Sequence, residues 1–315
     1  MAIAFVFPGQ GSQAVGMGKA LADQFAAARA VFDEVDAALG QNLSDIMWNG
    51  PEADLTLTEN AQPALMAVSM AALRTLETEY GINLAKTAKF VAGHSLGEYS
   101  ALAAAGTLSL ADTARLLKIR GKAMQAATPV GVGAMAALLG LDFATAAAVA
   151  AEAAQGEVCQ AANDNSDGQV VVSGSKAAVE RALDIAKAKG AKRAILLAVS
   201  APFHCALMQP AADAMAKALN EVTMNAPSVP LVANVLAAPT SDPAVIRAKL
   251  VEQVTGTVRW RESVGLMAAQ GVNLFVEVGA GKVLTGLAKK NAPESQAMAC
   301  GTPEDIATVA AHLIT

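Results

Sequence analysis

The pentapeptide Gly93-His94-Ser95-Leu96-Gly97 fits G-x-S-x-G, the sharp turn that lifts a serine hydroxyl above an α/β sheet as a nucleophile. The apolar run before it, in "KFVAGHS" at 89–95, reads as a buried strand, and the Ala-rich segment from Gly97 to about 106 reads as a helix. Ser95 therefore stands at the strand-to-helix junction that the motif requires. The N–H groups of a helix's first turn are free to bind an oxyanion, and the amide of Leu96, just after the serine, is the natural donor. The competing reading is a passive serine in a close-packed turn. The turn alone also leaves open whether an acyl group taken by Ser95 passes to water, as in an esterase or thioesterase, or to another acceptor. A non-enzymatic scaffold that kept the fold is the third possibility.

A serine nucleophile needs a base. His94 is adjacent, but neighbouring side chains diverge on a sharp turn. His312 falls in the last residues, on what reads as a surface helix. His204, in "SAPFHCALM", follows a predicted strand and opens a helix, and is the base by elimination. Asp142, Asp164, Asp167 and Asp184, between Ser95 and His204, all lie in a segment of different texture, so a main-chain carbonyl could hold the imidazole tautomer instead.

The elements that must position these groups are legible as patterns. "AIAFVF" at 2–7 is a nearly all-apolar run stopped by Pro8-Gly9, which suits a strand buried on both faces of a parallel sheet. Helical patterns follow at about 14–40, 60–80 and 109–125, the last with Ser109 as its N-cap. From about 127 to 199 the order becomes strand (133–140), helix (142–155), strands (158–164 and 169–174), helix (175–190) and strand (191–200). That β-α-β-β-α-β order is the ferredoxin-like signature. Helices at about 206–221, 243–253, 259–270 and 283–289, with strands near 229–235 and 273–279, complete the chain. The expected fold class is α/β: a hydrolase-like large domain with a parallel sheet, formed by 1–126 and 200–315, carrying a ferredoxin-like insertion at 127–199.

Composition narrows the partners. The chain of 315 residues is 54% hydrophobic and 16% charged, with aromatics at only 4%, which allows a sizeable aliphatic core. A net charge of −5 argues against a nucleic-acid binder. Cys159, Cys205 and Cys300 are odd in number and far apart, which fits a reducing cytosol. The three histidines form no metal-ligand spacing with one another or with the cysteines. "MAIAFVFPGQ" lacks the basic region and apolar length of a signal sequence, and no apolar window is long enough to span a bilayer. A cytoplasmic protein is expected. Two look-alikes are set aside. "GQGSQ" has Ala14 where a dinucleotide fingerprint needs glycine, and "VGAGKVLTG" at 278–286 has Val283 where a P-loop needs Ser or Thr.

Taken together, "FPGQGSQ" at 7–13, "GHSLGE" at 93–98, "IRGKAMQ" at 119–125 and "APFHCALM" at 201–208 resemble the malonyl-CoA:acyl-carrier-protein transacylases, and more widely the acyltransferase domains of fatty-acid and polyketide synthesis. "NDNSDGQVVVSG" at 163–174 and "VEVGAGKVLTGL" at 276–287 add to the likeness, which runs in order over nearly the whole chain. The resemblance implies a Ser95–His204 dyad, an oxyanion hole from the amides of Gln13 and Leu96, and a His-orienting carbonyl at Gln253. It implies that Arg120, in "RGK", binds the free carboxylate of a malonyl group through its planar fork, with Asn165 nearby. Phe203, where the carrier-protein enzymes often have serine, points to malonyl over methylmalonyl. The implied partners are malonyl-CoA as substrate and an acyl carrier protein bearing the phosphopantetheine; no resident cofactor or metal and a monomeric state are expected. Lys187, Lys189, Lys192 and Arg193 are candidates for docking the acidic carrier.

Overall fold

The computed structural model describes residues 1–199 and 201–314. Among these residues ten strands form two sheets. They are β1 (Ile3–Phe7), β2 (Ala88–Gly93), β3 (Gly133–Leu139), β4 (Cys159–Ser166), β5 (Gln169–Ser175), β6 (Arg193–Leu196), β7 (Leu231–Ala233), β8 (Ala238–Thr240), β9 (Leu274–Val278) and β10 (Gln296–Cys300). The larger sheet has the order β10-β9-β1-β2-β7-β8 and is parallel except for the terminal β7–β8 pair. β1 lies at its centre, and each of its residues is buried. Ile3, Phe5 and Phe7 enter the core under the long helix Thr58–Tyr80. Ala4 and Val6 face the other way, onto Val264 and Met267 of helix Trp260–Ala269 and Leu284 and Leu287 of helix Val283–Asn291. A strand covered by helices on both faces has no wet side, so its sequence does not alternate.

The smaller sheet is antiparallel with the order β4-β5-β3-β6, the ferredoxin-like arrangement, and all of its strands fall within 133–196. Here alternation decides the layers. Ala134, Ala136, Leu138, Val170 and Val172 pack on helices Phe143–Ala154 and Lys176–Ala188. Met135 and Val171, on the opposite face, join the large core and line the cleft between the sheets. Strand β4 is tied to the larger unit by backbone hydrogen bonds from Val258 N to Ala162 O and from Asp164 N to Val258 O, each 2.9 Å. An Asp164–Arg261 ion pair at 2.9 Å sits beside them.

Several expectations require correction. The helix expected at 14–40 is two helices, Lys19–Gln24 and Ala26–Leu39, preceded by a loop. Gly16 and Gly18 have positive φ, and the Phe32 ring fills the space a Cβ at Gly18 would need. Phe25, extended between the two helices, breaks them. The strand expected at 229–235 shrinks to β7, because the chain turns back through Asn234–Ala237 into β8. The edge strand β10 and the short helices Leu43–Asn49 and Glu52–Thr56 were not anticipated from the pattern; each is too short to show a period. The expected strand at 191–200 ends in a position, 200, outside the described residues. Ser109 caps helix Leu110–Ala126 as expected, its Oγ accepting the Asp112 amide at 3.0 Å.

Candidate active site

Parallel sheets place functional groups at the carboxyl ends of their strands, and Ser95 follows the carboxyl end of β2 directly. Its backbone is left-handed, with φ +53°, a strained conformation for a serine that aims the side chain out of the turn. The two glycines of the motif have a steric cause. A Cβ on Gly93 would overlap the Gly97 backbone, and one on Gly97 would overlap the Phe7 carbonyl of β1. Asn234, just after β7, clamps the turn from the next strand. Its Oδ1 accepts the Ser95 amide at 2.8 Å and its Nδ2 donates to Gly93 O at 2.7 Å.

His204 Nε2 lies 2.8 Å from Ser95 Oγ, and its Nδ1 lies 2.8 Å from the main-chain oxygen of Gln253, the last residue of helix Pro243–Gln253. A carbonyl only accepts, so Nδ1 carries the proton and Nε2 presents its lone pair to the hydroxyl. Burial, helped by the Arg120 charge, pushes the imidazole down to about 3, so the ring is neutral at ordinary pH. Among the described residues no aspartate bonds the imidazole: Asp164, one of the aspartates between Ser95 and His204, is engaged by Arg261.

Arg120 is 1% exposed. Its Nη1 donates to Gln62 Oε1 at 2.8 Å, and its Nη2 donates to Gln253 Oε1 at 2.8 Å and to Ser95 Oγ at 3.1 Å. The glycine of "RGK" makes this possible. A Cβ on Gly121 would come 2.6 Å from the Thr58 carbonyl oxygen, so only glycine lets this helix press on the start of helix Thr58–Tyr80 and bring Gln62 opposite Arg120. The partners of the guanidinium are all neutral, and it lies 5.7 Å from the Tyr99 ring centroid. A buried cation with only neutral partners at the end of a cleft is a seat for an anion.

The cleft holds about 600 Å³ and is lined by Gln13, Ser95, Leu96, Arg120, Asn165, Phe203 and His204 among others. It thus gathers every expected site residue except Gln253, which lies behind Arg120 and His204. The amides of Gln13 and Leu96 have no acceptor among the described residues, and Gln13 Oε1 accepts the Gly11 amide at 2.7 Å, fixing the loop after β1. Asn165 is in the cleft, but its Oδ1 is 2.8 Å from His94 Nε2 rather than on Arg120. His94 packs edge-on to Trp260 and turns away from the hydroxyl, as a sharp turn requires. His312 lies on helix Pro303–Ile314. The P-loop look-alike has its own explanation. Glu277 accepts the amides of Leu284 and Thr285 at 3.0 and 2.6 Å, so a carboxylate of the chain already fills that helix N-terminus.

Sequence reasoning missed Gln62, Glu98 and Asn234. Each left a faint signal: a glutamine beside the apolar run of helix Thr58–Tyr80, an asparagine just after β7, and a glutamate in the first turn of the helix after the nucleophile.

A serine on a strained strand-to-helix turn, a neutral imidazole held by a carbonyl and an anion seat beside them describe a serine acyltransferase site. Residues 4–305 match the acyl transferase domain family, and the chain belongs to it. Within that family, it is 49% identical over 304 residues to the malonyl CoA-acyl carrier protein transacylase of Escherichia coli K12, covering 96% of this chain and 97% of that one. It is 47% identical to the Bacillus subtilis protein of the same name, over 96% and 95% of the two chains. The crystal structure of acyl-carrier-protein S-malonyltransferase from Bartonella henselae superposes with a TM-score of 0.97 at 59% identity, covering 100% of both chains. A malonyl-transacylase solved in complex with a type II polyketide acyl-carrier protein superposes at 0.95 and 43% identity, over 99% of this chain and 100% of that one.

Proposed function

We propose that this chain transfers the malonyl group of malonyl-CoA to the pantetheine thiol of an acyl carrier protein, through a malonyl ester on Ser95. The observation that carries the reading is the Arg120 guanidinium, buried, bonded only to neutral groups and 3.1 Å from the serine oxygen. An acyl group that ends in a carboxylate supplies the missing charge while its thioester carbonyl meets Ser95.

In the first half-reaction His204 Nε2 removes the hydroxyl proton as Ser95 Oγ attacks the thioester carbon. The amides of Gln13 and Leu96 face the oxygen that becomes negative. The tetrahedral intermediate collapses, the carbon–sulfur bond breaks, and His204 returns the proton to the CoA thiolate. The carrier's thiol then enters by the same cleft, gives its proton to His204 and takes the malonyl group, leaving Ser95–OH. Kinetics of this form are ping-pong. The pantetheine arrives on the carrier, and no resident cofactor or metal takes part. Phe203, 9% exposed on the cleft wall, limits room beside the α-carbon and favours malonyl over methylmalonyl.

Among the described residues no helix is long and apolar enough to cross a membrane. We propose that the protein works in the cytoplasm as a monomer. Of the candidate docking cations, Lys187 and Lys189 are paired with Asp184 and Glu152. Lys192 and Arg193 remain, at the end of β6 opposite the one that leads into the cleft-lining Leu197.

Intact-mass analysis tests the proposal. Incubation with malonyl-CoA should add one malonyl group, lost on adding holo carrier protein with malonyl appearing on the carrier. Rapid release of free malonate without a carrier, or no adduct at Ser95, would overturn it.

A further inference from the structure

Gln253 contacts three residues of the site, His204, Arg120 and Ser95, at once. Its main-chain oxygen holds His204, its Oε1 accepts from Arg120, and its Nε2 donates to the Ser95 carbonyl at 2.9 Å. An amide can rotate end for end. Reversed, its NH₂ would point at the guanidinium, donor against donor, and its oxygen at the Ser95 carbonyl, acceptor against acceptor. Two further contacts bear on the orientation: a long one, from Nε2 to Asn234 Oδ1 at 3.4 Å, and a short one that dominates it. Nε2 also donates to Glu98 Oε2 at 2.6 Å, and the same oxygen accepts the Asn234 amide at 3.4 Å. An ionised carboxylate only accepts, so it fixes the nitrogen on its own side and the oxygen toward Arg120. Glu98, Gln253, Asn234 and Arg120 are each no more than 1% exposed, so water cannot substitute for any of these bonds.

We propose that Glu98 is a positioning residue for dicarboxylic acyl groups: through the Gln253 amide it aims the Arg120 guanidinium at the acyl carboxylate. The inference deepens the malonyl-transfer reading and rests on it. Glu98 does not touch the reacting atoms. Its influence passes through one amide, polarised between a cation and an anion.

Burial raises the Glu98 carboxyl to about 7, against the lowering pull of its hydrogen bonds and of Arg120. The charged or titratable groups facing it are Arg120, from helix Leu110–Ala126, and Tyr99, from its own helix. Asn234 and Gln253, which touch it from the other elements, are neutral, and His204 reaches it only through Gln253. Protonation converts the fixed acceptor into a group that can also donate. Selectivity for malonyl is therefore present above this ionisation and declines as pH falls through it, while the acyl carboxylate itself stays ionised.

The test is E98Q, which keeps the shape and removes the charge, compared with the unaltered protein in ping-pong kinetics with malonyl-CoA and acetyl-CoA. The ratio of the two kcat/KM values should fall about 10- to 100-fold, mainly through the KM for malonyl-CoA. In the unaltered protein that ratio should decline between pH 8 and pH 6, and in E98Q the decline should be absent. A uniform loss for both acyl groups with an unchanged pH profile would make Glu98 merely structural and overturn the proposal. If E98Q does not fold, the pH profile of the unaltered protein still decides, since a ratio flat across about 7 is the contrary result. Failure of the unaltered protein to form malonyl-Ser95 would instead refute the transfer reading itself.

Discussion

Arg120→Ala is the most informative single change. A carboxylate seated on the guanidinium accepts two parallel charge-assisted hydrogen bonds in a site that excludes water. Each is worth about 1.5–3 kcal/mol, so their loss costs about 3–6 kcal/mol of malonyl binding in the transition state. At about 1.4 kcal/mol per factor of ten, kcat/KM for malonyl-CoA should fall about 10²- to 10⁴-fold. Acetyl-CoA offers no carboxylate, so its transfer should be spared or improved. Removing an unpaired buried cation also relieves a desolvation cost that shows in the depressed Arg120 ionisation. Against that gain, Gln62 Oε1 and Gln253 Oε1 lose a donor. Arg120→Lys keeps the charge and loses the fork, and should fall between. The assay is initial-rate transfer to holo carrier protein from each CoA ester, with folding checked by circular dichroism. An equal fall for malonyl and acetyl would show that Arg120 supports the site rather than selecting the acyl group, and the anion-seat reasoning would be wrong.

Ser95→Ala should abolish the covalent adduct in the mass spectrum, and His204→Ala should slow its formation by at least about a hundredfold, the scale of a lost general base. Because His204 is held near 3 in the fold and titrates near 6.5 when unfolded, the native state loses stability as pH falls below 6.5. The stability lost on His204→Ala should therefore be smaller at pH 4.5 than at pH 7.5 in urea unfolding, and an equal loss at both would contradict the burial effect. Gly97→Ala should destabilise the protein by about 1–3 kcal/mol or more, because the new methyl meets the Phe7 carbonyl; an unchanged melting temperature would refute the steric account of the motif. Charge reversal at Lys192 and Arg193 should raise the KM for the carrier protein and leave malonyl-Ser95 formation intact, and an unchanged carrier KM would move the docking surface elsewhere.

The sequence by itself determined the elements with strong local signatures. The unbroken apolar run of β1 marks burial on both faces, and the β-α-β-β-α-β order of the small sheet survives because its helices and the central strands β3 and β5 each bury one face against the other layer. Gly93 and Gly97 bracketing Ser95 announce the turn, since no other residue fits that close approach. His204 was legible by elimination among three histidines, whereas Arg120 and the carbonyl of Gln253 were legible only through their company of motifs. Tertiary structure alone decided what steadies them. Gln62, Glu98 and Asn234 come from three elements far apart in the chain, and each reaches its partner only after those elements pack. A local pattern records which face of a helix or strand is buried, because burial repeats with the backbone period. It does not record which buried polar group finds which partner, because a hydrogen bond between distant segments depends on the angle and depth at which they pack, and those are properties of the assembled core.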